Sequence, residues 1–265
     1  MNTHSENFPY ETEFMDLQGK LVGFLYRLTC NRQDAEDLAQ DTYIAVRQNI
    51  AGFKERSSFK TWVFSIAINK ARNHHRVQKR WAVDYQDRGE AAHMSSETLM
   101  ERLMDIHNSR PDARFEMQEH VDFCFQCMVK TLDLPQQICL WLRYFYDFSV
   151  MEIQDATGFT EGMVKHALTY GKKTLTEVFE NRCAFINQSG VCYQCSSLNG
   201  LFNPKQEEEA KRNAEKIRRQ ISSNPHLVEL RMQFIKDINP LDGSCSHIHN
   251  YLMENTPNWA ESRKE

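Results

Sequence analysis

Apolar residues recur at i, i+3 and i+4 over most of this chain, and runs that alternate Val, Ile or Thr with polar residues are missing. The first pattern puts apolar groups on one stripe of a helix, and the second would be needed for a half-buried strand. Such a chain can only bury its stripes by packing helix on helix. Ten Gly and seven Pro in 265 residues break that pattern rarely. The expected fold class is all-α: two helical domains joined by a flexible linker, followed by a C-terminal extension.

The breaks place the boundaries. A first apolar helix spans residues 14–30, and Asn31 offers a side-chain cap to a second, DAEDLAQDTYIAVRQNI. In the second helix Ala35, Leu38, Ala39, Thr42 and Val46 form the buried stripe, while Asp34, Asp37 and Asp41 line an acidic outer face. Residues 51–58 read as a polar loop, and a third helix is expected from Phe59 to Trp81. Residues 82–115 are polar and weakly periodic, as in a linker. The apolar pattern resumes over 116–182, and residues 183–265 form an extension that opens with a Cys-bearing stretch. The expected units are therefore 1–81, 82–115, 116–182 and 183–265.

Charge is segmented along the chain. The formal net charge is −4, yet residues 53–81 hold eight Lys and Arg against Glu55 alone, a local excess of +7. That distribution excludes a generally adhesive nucleic-acid binder and favours a local one. Unstacking a duplex costs a few kcal/mol per step, so a protein that opens one needs aromatic surfaces and groups that accept displaced bases. Phe53 and Trp62 offer planar faces, and Asn69 offers donors and acceptors to a base edge. Lys60, Arg72, Arg76, Lys79 and Arg80 suit phosphates, whereas Phe64 is expected to pack inside.

A second nucleic-acid signature lies at SVMEIQDATGFTEGMVKHALTYGKKTL, residues 149–175. Ser149 and Glu152 form a capping box, Gly158 suits a left-handed turn, and Thr160 caps the next helix. Val150, Ile153 and Ala156, then Met163, Val164, Ala167, Leu168 and Leu175, are expected to face inward. Lys165, His166, Thr169, Tyr170, Lys172 and Lys173 stay outside, as a helix-turn-helix recognition helix requires.

The run DAEDLAQDTYIAVRQNIAGFKERSSFKTWVFSIAINKARNHHR closely resembles the second region of bacterial RNA polymerase sigma factors of the extracytoplasmic-function (ECF) class. The helix-turn-helix, preceded by LDLPQQ at 132–137, resembles their fourth region. This resemblance implies a transcription initiation factor, not an enzyme, that binds core RNA polymerase and promoter DNA. It implies that Asn69 captures a flipped base of the minus-ten element, with Phe53, Lys60, Trp62, Arg72, Asn73 and Arg76 around it. Asp34, Asp37, Gln40 and Asp41 match the surface that docks on the clamp helices of the largest polymerase subunit. The fourth region, with Thr160, Lys165, His166, Thr169, Tyr170, Lys172 and Lys173, would read the minus-thirty-five element beside the flap. An anti-sigma factor or another recruiting protein is a further candidate partner. The rival reading is a stand-alone helix-turn-helix regulator responding to metal or redox state, which gives the acidic stripe and Trp62 no role.

Eight cysteines complete the motif set. Cys124 and Cys127 form one C-x-x-C pair and Cys192 and Cys195 another, a candidate four-thiolate structural zinc site, with His120 and Cys183 as alternates. The His120-x-x-x-Cys124-x-x-Cys127 spacing also resembles the zinc motif of redox-sensing anti-sigma factors. Buried apolar thiols are the competing reading of Cys124 and Cys127, and Cys30 and Cys139 are expected in the core. No signal peptide or membrane span is expected, so the anticipated location is cytoplasmic.

Overall fold

The structure is a computed structural model that describes residues 8–75, 81–82 and 117–182, with isolated positions between 88 and 105 and between 232 and 241. Among these residues it is helical with no strand. Helices α1 (Glu11–Thr29), α2 (Arg32–Asn49) and α3 (Phe59–His75) form one group. Helices α4 (Met117–Val129), α5 (Leu134–Phe145), α6 (Val150–Thr157) and α7 (Glu161–Arg182) form the other.

Local chemistry sets the ends of most helices. Asn31 Oδ1 accepts from Asp34 N at 3.0 Å and starts α2. Ser58 Oγ accepts from Thr61 N at 3.1 Å and starts α3. Ser149 and Glu152 exchange both bonds of the capping box, and Gly158 (φ 73°) closes α6 in the left-handed region. Helix α3 ends in the description at His75 rather than reaching Trp81, whose amide donates to Lys130 O at 3.3 Å. Trp81 has left the helix to pair with the turn after α4.

The two groups share one continuous apolar core. Phe64 of α3 packs on Tyr146 and Phe148, with ring centroids 5.7 and 5.1 Å away, and Phe24 of α1 meets Tyr146 at 5.6 Å. Arg27 of α1 is 1% exposed and lies 2.5 Å from Asp122 of α4, its guanidinium stacked on Trp141 and Phe145 of α5. Burial opposes that charge, and Asp122 and Tyr146 outweigh the opposition. Lys130, also buried, donates to Leu28 O at 2.8 Å, where His75 Nε2 donates as well. Two donors thus serve a carbonyl at the C-terminal end of α1, where unpaired acceptors collect. Cys30 and Cys139 are core residues, as expected.

One inward assignment fails. Met163 is 51% exposed while Val164, one position on, is fully buried: the inner stripe runs through Val164, Ala167 and Leu175, and Met163 lies off it. The close contact with α5 comes later, at Gly171, where an added Cβ would stand 3.0 Å from Leu140 Cδ1. A larger residue there would push α7 off α5.

Candidate nucleic-acid interface

The loop between α2 and α3 is held by aromatic stacking. Phe53 and Trp62 stack with centroids 5.0 Å apart and planes at 29°, and both are half-buried. Tyr10 stacks on Phe59 at 4.6 Å, meets Phe53 edge-on, and donates from its hydroxyl to Glu55 Oε1 at 3.0 Å. Phe8 lies against Tyr43 and Phe59. Phe8 and Tyr10 were missed from sequence because they are isolated aromatics in a polar, acidic N-terminus. Glu55 carries a φ of 52°, so the loop holds a strained backbone position beside this cluster.

Along α3 the expected DNA-contacting residues divide. Asn69 and Asn73 are exposed. Lys60 is half-buried, its ammonium donating to Tyr146 O at 2.7 Å and lying 4.1 Å from the Phe148 ring. Desolvation holds its pKa below the usual lysine range, partly offset by Glu152. Arg72 donates to Thr157 O at 2.8 Å and to Asn69 Oδ1 at 3.3 Å, and stacks over Phe159 at 4.8 Å. Burial likewise lowers its pKa. Two cations suited to phosphate are therefore bonded to main-chain carbonyls just before α6 and at its C-terminal end. Arg76, Lys79 and Arg80 lie outside the described residues.

The acidic face of α2 partly meets α3. Asp41 lies 3.5 Å from Lys70 Nζ, and Asp34 lies 3.4 Å from His74 Nε2. Asp37 accepts from Gln33 at 2.9 Å, and Gln40 is exposed.

Helix α7 presents the opposite situation. Thr160, Lys165, His166, Thr169, Tyr170 and Lys173 are exposed in one run, and Lys172 is half-buried. Thr160 Oγ1 accepts from Met163 N at 3.3 Å, capping the helix. The His166 and Tyr170 rings stack at 4.1 Å and 25°, one turn apart. Lys165 pairs with Glu161 at 2.6 Å, which lowers the carboxyl pKa. Beneath the ridge, Val164, Ala167 and Leu175 are buried.

The Sigma-70 region 2 family model matches residues 14–81, and the model for Sigma-70 region 4 matches residues 122–175. The chain belongs to the ECF class of sigma factors. Among relatives of this sigma factor, the RNA polymerase sigma-H factor of Pseudomonas aeruginosa is 24% identical over 163 residues, covering 62% of this chain and 82% of that protein. The ECF RNA polymerase sigma factor SigX of Bacillus subtilis is 28% identical over 182 residues, covering 64% and 81%. A solved structure, the sigma factor RpoE with the anti-sigma factor NepR from Bartonella quintana, aligns at a TM-score of 0.45 with 18% identity, over 64% of this chain and 96% of that one. In this sigma factor α1–α3 are thus region two and α4–α7 contain region four. Sigma factors are initiation factors rather than enzymes and need no catalytic cofactor.

The cysteine expectation meets a different environment. Cys124 and Cys127 sit on α4 as expected, but both are buried in the core, with Cys127 near Tyr26 and Lys130. Cys183, Cys192, Cys195 and the His120 side chain lie outside the described residues. Among the described residues no three His, Cys, Asp or Glu side chains are grouped to hold a metal. The buried pair fits the reading as apolar thiols, and a structural zinc has no support here. No helix among the described residues is long and apolar enough to cross a membrane.

Proposed function

We propose that this sigma factor binds core RNA polymerase, directs it to promoters and helps to open them. The acidic face of Asp34, Asp37, Gln40 and Asp41 is the docking surface for the clamp helices. Asn69 receives a flipped base of the minus-ten element beside the Phe53–Trp62 stack, with Asn73 next to it. Lys60, Arg72 and Arg76 hold the strand by its phosphates. The ridge of Thr160, Lys165, His166, Thr169, Tyr170, Lys172 and Lys173 reads the minus-thirty-five element from the major groove while region four sits at the flap. Residues 82–115 join the two reading units, the domain limits being 1–81 and 116–182, with 183–265 as the extension.

The observation that carries this reading is the coincidence of family region and exposed base-reading group. Asn69 stands exposed on α3 within the region-two match, and the His166–Tyr170 stack stands exposed on α7 within the region-four match. The test is reconstitution of the full chain with bacterial core polymerase on a promoter library, followed by sequencing of transcript starts. Discrete starts that share an upstream pattern are expected. Tight binding to duplex DNA alone, with no binding to core polymerase, would replace this reading with the stand-alone regulator.

A further inference from the structure

Residues 146–148, between α5 and α6, are gripped from two sides. From region two, Lys60 donates to Tyr146 O, Phe64 packs on Tyr146 and Phe148, and Gly23 lies where an added Cβ would meet Tyr146 Oη at 3.3 Å. From the C-terminal extension, Lys236 Nζ lies 2.5 Å from Asp147 Oδ1. The same extension buries Met232 and Ile235, at 2% and 0% exposure, and Leu241 packs on the core. Pro240 lies 3.8 Å from the position of a Gly23 Cβ, so the extension also touches α1. A cleft of about 500 Å³ at this seam is lined by Asp16, Lys20 and Arg27 of α1, by Tyr146 and Asp147, and by Lys236.

We propose that the extension, through Met232, Ile235, Lys236, Pro240 and Leu241, is an intramolecular latch that holds region four over the DNA face of region two. The inference rests on the sigma-factor reading and adds its regulation. In the latched form Lys60 and Arg72 bond to Tyr146 O and Thr157 O, so neither is available to a phosphate. Opening must break those bonds, the Arg27–Asp122 pair and the Lys130–Leu28 bond, and separate Phe64 from Phe148. The extension contacts both sides of the seam, α1 at Gly23 and region four at Asp147, so it favours the closed state over the open one. A ligand that binds only the open state then has its apparent affinity reduced by the fraction that is open. Core polymerase, which binds region two and region four at separate places, is such a ligand.

The most direct test needs no substitution. A carbodiimide activates the Asp147 carboxylate, and the Lys236 amine attacks it, forming an amide and releasing the urea. The full chain treated alone should yield a 147–236 crosslinked peptide by mass spectrometry, and the chain bound to core polymerase and promoter should not. Absence of the peptide from the free chain, or its persistence in the promoter complex, overturns the latch. Two full-chain variants, Ile235→Asp and Gly23→Leu, disturb the latch without touching a DNA-contacting residue. Each should bind core polymerase about tenfold more tightly than the unaltered chain. A variant that keeps its helical circular dichroism and binds no tighter contradicts the proposal, and if a variant fails to fold the crosslink decides. If no form of the chain binds core polymerase, the sigma-factor reading itself fails, and the crosslink still reports separately on the contact.

Discussion

Helices α3 and α7 are both proposed to meet promoter DNA, yet the structure leaves them in opposite states. On α7 the ridge residues Thr160, Lys165, His166, Thr169, Tyr170 and Lys173 are exposed, with local contacts that include Lys165–Glu161 and His166–Tyr170. On α3 the exposed Asn69 and Asn73 stand beside two cations already bonded to region four. The difference teaches that a surface can be built for a ligand and still be covered by its own chain. On the proposed reading, the α7 ridge would meet DNA as it stands, whereas Lys60 and Arg72 would first have to exchange carbonyl partners for phosphates.

The largest expected effect comes from breaking what the two regions share. Arg27→Met or Asp122→Asn removes one charge of a buried, hydrogen-bonded pair and leaves the other charge uncompensated, which should cost about 3–5 kcal/mol in denaturant unfolding. The double variant Arg27→Met with Asp122→Leu should recover most of that loss. Single variants within about 1 kcal/mol of the parent would show that the pair does not join the regions.

A smaller loss is expected on the α7 side alone. Gly171→Val would force a side chain against Leu140 Cδ1, 3.0 Å from the position of the added Cβ. Overpacking of this kind should cost about 1–3 kcal/mol. Because the site lies under the ridge, binding to the minus-thirty-five element should weaken with it, while single-stranded minus-ten DNA should not distinguish the variant.

Surface substitutions should separate function from stability. Asn69→Ala should leave unfolding within about 0.5 kcal/mol of the parent, since Asn69 is exposed. It should lower open-complex formation about tenfold, the cost of a lost base contact of about 1–3 kcal/mol. Tyr170→Ala should likewise be silent in unfolding and weaken duplex recognition by a similar factor. If Asn69→Ala opens promoters as well as the parent does, α3 is not the melting surface.

The smallest effect is a pH dependence that reports on the α1–α3–α4 junction. Burial, with Lys130 alongside, holds the His75 imidazole down to about 3, against an ordinary value near 6.5. The unfolded chain therefore binds the proton first, so this stabilising contribution is full above pH about 6.5 and fades as pH falls from there towards 3. The groups facing it are Lys130 and His74, with Asp34 paired to His74. His75→Gln should flatten the decline in stability between pH 6.5 and 5, by at most one proton's worth of slope. An unchanged decline would place the titrating group elsewhere.

What the sequence made readable was local. The Asn31 cap, the Ser149–Glu152 box, the Gly158 turn and the outer face of α7 each depend on residues within a few positions of one another. The destinations of Lys60 and Arg72 were not readable, because their acceptors lie 86 and 85 residues away and are main-chain carbonyls with no side-chain signature. The Arg27–Asp122 pair joins two side chains, yet it was invisible because its members lie 95 residues apart. Phe8 and Tyr10 escaped because two aromatics in a polar stretch carry no periodicity. Met163 reads as inward from sequence because an apolar residue beside Val164 looks like part of the stripe, although the buried spacing runs through Val164, Ala167 and Leu175.

The central claim is that this chain opens promoters only as part of a polymerase. Permanganate oxidation of unpaired thymines tests it directly, on a promoter selected with the reconstituted enzyme. The account predicts reactive thymines in the minus-ten element when the full chain and core polymerase are both present, and none with either alone. Duplex protection by the chain without core, and no reactive thymines with it, would contradict the account.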